Sequence, residues 1–116
     1  MKGKREPVLL LCDQEEEYVQ SMTEFLQAHK ELPWSVRTYT DSEKMLQEER
    51  GNSIDIMVVA ERTYQEDLSA LHPLRTIVLI ENGLDVHTEF VNINKYQEAQ
   101  KVLQSFLEVY LEVADT

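Results

Sequence analysis

A single cysteine, Cys12, leaves no partner for an internal disulfide, so packing rather than cross-linking must hold this chain folded. Glycine and proline are scarce, three of each, which excludes collagen-like and low-complexity architectures. No glycine-rich phosphate loop is present. Basic residues are few as well: 11 Lys and Arg face 22 Asp and Glu, a formal net charge of −11. A surface so acidic repels a nucleic-acid backbone and an anionic membrane, so neither is expected as a partner. Behind the basic start, MKGKREP, the apolar run extends only from Val8 to Leu11, too short for a signal-peptide core or a membrane span. A cytoplasmic location without membrane insertion is the expectation.

What the chain does have is the material of one globular domain. Its 116 residues, 42% of them hydrophobic, suit a single core spanning residues 1–116. The run from Val8 to Cys12 reads as a strand covered on both faces. Asp13 then opens a helix whose Tyr18, Met22, Phe25, Leu26 and His29 share one face, with Pro33 marking its exit. Residues 34–39, WSVRTY, alternate as a half-covered edge strand does. Thr40 and Glu43 form a capping-box pattern for a short helix that stops at Gly51 and Asn52. Residues 54–60, IDIMVVA, and 76–80, TIVLI, are two more buried strands, with room for a turn or two of helix between them before Pro73. Residues 90–94, FVNIN, form a weaker, more polar strand, and a long helix from about Gln97 to Val113 closes the chain.

Strand and helix alternate throughout, which implies a three-layer α/β sandwich with a parallel sheet. The oiliest strands should be central and the two polar ones should be edges. The order 2-1-3-4-5 meets that condition and gives a flavodoxin- and CheY-like five-stranded winding. Only nine residues, ENGLDVHTE, separate Ile80 from Phe90, fewer than the roughly ten to twelve a crossover helix needs. The fourth helix is therefore expected to be short or absent.

In such a sheet, ligands bind beyond the carboxyl ends of the strands. Those ends carry Cys12 and Asp13, Ala60 and Glu61, Ile80 and Glu81, and Asn94 and Lys95. This pattern resembles the receiver domains of bacterial response regulators over nearly the whole chain. Receivers place two acids after the first strand to hold Mg²⁺, a phosphate-accepting Asp at the end of the third, a Ser or Thr after the fourth, and a Lys followed by Pro after the fifth. Transferred to this sequence, Cys12 replaces the first acid and Asp13 keeps the second. Ala60 stands at the acceptor position, Ile80 at the hydroxyl position, and Lys95 is kept but followed by Tyr96. An alanine methyl cannot form an acyl phosphate.

A nearer likeness is to the degenerate receiver-like domains at the front of TadZ- and CpaE-type MinD-like ATPases of pilus-assembly systems. It rests on Cys12-Asp13, on a small residue followed by Glu61, and on Lys95-Tyr96-Gln97. The resemblance implies a pseudo-receiver, not an enzyme and without a cofactor. Such a domain would mediate self-association, as in a homodimer, or position a linked or partner MinD-like ATPase. The rival reading is a working phosphoacceptor domain of a two-component or phosphotransfer system, using Glu61, Asp13 or Cys12. A nucleotide- or flavin-binding flavodoxin-like protein is opposed by glycine-poor loops and by the negative charge.

Each candidate has a simpler structural explanation. Asp13 with Glu15, Glu16 and Glu17 could hold a divalent cation; equally, Asp13 is a helix N-cap and Glu16 completes its capping box. Cys12, with no glycine after it and three acids nearby, is expected to be a small buried residue. Lys95 either answers a bound anion or closes the top of the sheet as an ion pair, and without an acceptor the ion pair is expected. His29, His72 and His87 lack ligand spacing, so no metal is expected from them. In the last helix, Ala99, Val102, Leu103, Phe106, Tyr110 and Val113 suffice for one face, while Leu103, Leu107 and Leu111 add a second apolar stripe. That stripe either meets a protein partner or a second copy, or is buried because the fourth helix is missing.

Overall fold

The computed structural model describes residues 6–81 and 89–114. Five parallel strands, β1 (Val8–Cys12), β2 (Ser35–Tyr39), β3 (Ile56–Ala60), β4 (Arg75–Ile80) and β5 (Val91–Asn94), form one sheet in the order β2-β1-β3-β4-β5. The helices α1 (Glu16–Gln27), α2 (Ser42–Glu49) and α3 (Ala99–Ala114) and a 3-10 segment (Glu66–Leu71) flank it. The fold is the doubly wound CheY-like sandwich expected, with β2 and β5 at the edges. The reduced fourth helix concerned residues 81–89, of which 82–88, with His87, lie outside the described residues.

Every residue of β1 and β3 is buried, because each face of the central sheet has its own helical cover. Alternate side chains go to opposite sides. Leu9, Leu11, Ile56, Val58, Ile77 and Leu79 meet Met22, Leu26, Val102, Leu103 and Phe106 beneath α1 and α3. Val8, Leu10, Cys12, Met57, Val59, Val78 and Ile80 meet Met45, Leu68 and Leu71 beneath α2 and the 3-10 segment. Burying a side chain such as Phe106, which has no exposed surface, contributes about 1.5–3 kcal/mol by area alone.

Two helix starts differ from expectation. The N-cap of α1 is Glu15, without a side-chain cap bond, and the Asp13–Glu16 capping box does not form. Asp13 is drawn inward instead, and its Oδ1 accepts the Glu15 N–H at 2.9 Å in a turn preceding the helix. For α2 the cap is Asp41, not Thr40: Asp41 Oδ1 accepts the Glu43 N–H at 2.9 Å. Gly51, at φ 86°, takes the left-handed conformation that ends this segment. The third strand begins later than expected because Asp55 is used otherwise, its Oδ1 accepting the Val8 N–H at 2.9 Å.

The second stripe of α3 is only partly a surface. Leu103 is 2% exposed and belongs to the core, and Leu107 is half-buried against it. The reason is lateral packing, since α1 lies against α3. Leu111 alone of the three is well exposed, at 61%.

Candidate functional site

The parallel register sets Cys12 beside Val59, Ala60 beside Leu79 and Ile80 beside Asn94, so the strands end together. Two strand ends continue one residue further: Glu61 N–H donates to Leu79 O at 2.9 Å and Lys95 N–H to Ile80 O at 2.8 Å. Above them lies a cleft of about 380 Å³ lined by Asp13, Gln14, Glu15, Arg62, Thr63, Glu81, Lys95 and Tyr96.

Lys95 organises this cleft. Its side chain is 1% exposed, and its Nζ lies 2.7 Å from Asp13 Oδ2 and 2.6 Å from Glu15 Oε1. Glu81 Oε2 stands at 4.0 Å and is itself bridged to Arg62 Nη2 at 3.1 Å. The ammonium also sits 4.8 Å from the centre of the Tyr18 ring and 5.3 Å from that of Tyr96, within cation–π range. Burial opposes the Lys95 charge, but the hydrogen bonds and charges of Asp13 and Glu15 outweigh it, and the pKa is raised. The Glu15 carboxyl is correspondingly lowered by the Lys95 hydrogen bond and charge. Burial pushes the Tyr18 hydroxyl up to about 12.

The crown loop after β3 completes the cleft. Thr63 and Tyr64 N–H both turn back onto Ala60 O, at 2.9 and 3.0 Å. That turn buries Thr63, whose Oγ1 accepts the Gln14 N–H at 3.2 Å and so ties the β1 and β3 loops together.

Of the strand-end and receiver-pattern residues singled out in the sequence, Asp13, Glu81, Lys95 and Tyr96 meet in the cleft. Cys12, Ala60 and Ile80 lie beneath it, 0%, 2% and 7% exposed, and do not line it. Cys12 points into the layer beneath α2, and burial, with Asp13 and Asp41 nearby, raises its thiol to about 12. A thiolate nucleophile is therefore disfavoured there. Glu61 is half-exposed and does not line the cleft. Arg62 and Thr63 carried no sequence signal, because their placement depends on the turn onto Ala60. In the sequence Glu15 is one of several helix-start acids; in the fold it is a direct partner of Lys95.

The donor set does not fit Mg²⁺. That ion needs near-octahedral oxygens at about 2.0–2.1 Å, whereas Asp13 and Glu15 are both ion-paired with the Lys95 ammonium. Among the described residues, no group of three or more His, Cys, Asp or Glu is placed to share an ion. Among them, too, no helix is long and apolar enough to cross a membrane.

A second buried charge lies at the β2 edge. Glu49, 1% exposed, accepts from Arg37 Nε and Nη2 at 2.7 Å each, from the Tyr39 hydroxyl at 2.7 Å and from Asn52 Nδ2 at 3.0 Å. This fully bonded carboxylate fastens α2 to the sheet, a structural role.

Comparison with solved structures supports the fold. The signal receiver domain of an HD domain-containing protein from Pseudomonas fluorescens Pf-5 superposes with a TM-score of 0.75 at 19% identity, over 97% of this chain and 92% of that one. A CheY-like response regulator receiver domain protein from Methanospirillum hungatei JF-1 gives 0.73 at 14% identity, over 93% of this chain and 96% of that one. No family model and no curated protein matches the sequence. The chain therefore has the receiver fold, at identities that carry the architecture and not the chemistry.

Proposed function

We propose that this chain is a pseudo-receiver: a regulatory domain of receiver fold that takes no phosphate and acts by binding protein. The observation behind this reading is the Ala60 methyl at the end of β3, beneath a Lys95 already bonded to Asp13 and Glu15. In receiver chemistry the lysine stabilises charge on an incoming phosphoryl group. Here two resident carboxylates hold that lysine, and the nearest acids either serve it or point elsewhere.

The binding face in this reading lies on the far side of the sheet, around β4, β5 and the end of α3. Leu74, Val91 and Leu111 are exposed there at 55%, 37% and 61%. Arg75 of β4 reaches Glu112 of α3 at 3.7 Å, so these elements present one continuous surface. Exposed apolar side chains collected in this way are typical of contact surfaces. The partner is a second copy or a linked or separate MinD-like ATPase of the kind TadZ and CpaE proteins carry.

Incubation with acetyl phosphate and Mg²⁺, followed by intact-mass measurement, tests the central claim. No mass gain is expected, whereas a stable increment of one phosphoryl group, about 80 Da, establishes the phosphoacceptor alternative. Peptide mapping would then assign it among Glu61, Asp13 and Cys12.

A further inference from the structure

The two edges of the sheet are finished differently. At β5, Lys95 N–H bonds to Ile80 O, so by alternation Asn92 and Asn94 turn their backbone groups outward. Side chains cover part of that edge and both its ends: Gln97 Nε2 donates to Asn94 O at 3.0 Å, while beside the strand Asn94 Oδ1 accepts the Tyr96 N–H at 2.8 Å and Asn92 Nδ2 donates to Phe90 O at 3.0 Å. At β2, Ser35 N–H bonds to Pro7 O and Tyr39 O accepts the Asp13 N–H, which leaves Val36 and Thr38 facing outward. Among the described residues no side chain bonds to their backbone groups. An unplugged strand edge is a template for another strand.

The flanks of this edge have a definite chemistry. On the α1 side, a cleft of about 480 Å³ is lined by Glu16, Gln20, Thr23 and Glu24 together with Thr38 and Thr40. It contains no basic residue, and neither Glu16 nor Glu24 is ion-paired among the described residues. On the α2 side, a cleft of about 420 Å³ carries Lys44 and Glu48, paired with each other at 3.9 Å, Arg37, which Glu49 neutralises, and Asp41, whose carboxylate caps α2. Both clefts share Val19, Thr38 and Thr40, so they form one groove around the edge.

We propose that the open edge of β2 accepts an extended basic segment of a protein partner as a sixth strand. Successive side chains of an added strand point to opposite flanks. Lysine or arginine at every second position meets Glu16 and Glu24, while small or β-branched residues between them lie over the α2 side, whose two cations are already paired. A second copy is a poor occupant, because two acid-lined edges of a chain with formal net charge −11 repel each other. This site is at the opposite edge from the proposed α3 face, and it stands whether or not the upper cleft takes phosphate.

The test is amide hydrogen exchange on the full chain, with a short peptide alternating lysine with valine or threonine, and a glutamate counterpart as control. At saturating lysine peptide, protection of the Val36 and Thr38 amides rises at least about 10-fold. Thr38→Pro removes an outward donor that the β1–β2 ladder does not use, so it weakens binding at least about 10-fold. Thr38→Val, which keeps the N–H, stays within about 3-fold of wild type. Glu16→Gln with Glu24→Gln weakens binding about 3- to 10-fold and reduces its salt dependence. If Thr38→Pro does not fold, exchange in the wild type decides alone. Unchanged protection, equal binding of the glutamate peptide, or protection that appears with protein concentration in the absence of peptide overturns the proposal.

Discussion

Replacing Lys95 with methionine keeps most of the side chain's length and removes its charge. The Lys95 side chain is 1% exposed and that of Asp13 4%, so water cannot easily take the place of the ammonium. Asp13 would keep the Glu15 N–H at 2.9 Å but lose the cation at 2.7 Å. Removing one member of a buried pair costs about 3–5 kcal/mol, because the remaining charge is left uncompensated. Glu15 contributes little to that figure, because its side chain is 49% exposed and water screens the pair. Against a total stability on the order of 5–15 kcal/mol, such a loss lowers Tm by roughly 10–20 °C. Urea unfolding at neutral pH, followed by circular dichroism, measures Lys95→Met, Asp13→Asn, Glu15→Gln and the Lys95→Met/Asp13→Asn double variant. The double variant is expected to be more stable than the sum of its singles by about 2 kcal/mol. A Lys95→Met loss under about 1 kcal/mol, or strict additivity with Asp13→Asn, refutes the closed ion pair. The pH dependence has a definite sign. Because the Lys95 pKa is raised on folding, its contribution is complete below the ordinary lysine value of 10.5 and is lost as pH rises through the folded value.

Glu49 acts at the other end of the pH scale. The Arg37 hydrogen bonds, aided by Asn52 and Tyr39, lower its pKa from 4.5 to about 2, so its stabilisation is present above the unfolded value and lost as pH falls toward about 2. Its size is about 3 kcal/mol, and Glu49→Gln should flatten the acid limb of stability measured by urea titration across that window; an unchanged limb contradicts the assignment. In α3, Leu103→Ala should cost about 2–5 kcal/mol, whereas Leu111→Glu should leave stability within about 0.5 kcal/mol. Leu111→Glu should also abolish any self-association seen by sedimentation, and an associating variant removes that face from consideration.

The sheet was legible because its signal is redundant. Continuous apolar runs at Val8–Cys12, Ile56–Ala60 and Ile77–Ile80 mark strands covered on both faces, and the polar runs could only be edges. Where one residue must choose between local and distant partners, the pattern failed. Asp13 looks like a helix cap, and what decides otherwise is Lys95 arriving from the far end of the chain. Thr40 and Asp41 both have capping side chains, and it is Asp41 that accepts the Glu43 N–H. In α3 a helical repeat shows that Leu103 and Leu111 share a stripe but not that α1 covers one and leaves the other bare. In the site, Asp13, Glu81 and Lys95 followed from strand ends and Tyr96 from the receiver resemblance, whereas Arg62 and Thr63 depend on a turn with no periodic signature.

The two walls of the sandwich are unequal. Among the described residues, one is closed by α1 and α3, of 12 and 16 residues; the other by α2, of eight residues, and a six-residue 3-10 segment that ends at His72 with φ 51°. Transient breathing of a native protein begins where the fewest residues must let go together, and 3-10 bonds are geometrically poorer than α-helical ones. Amide exchange is therefore expected to be faster over Leu68 and Leu71 than in the layer under Phe106.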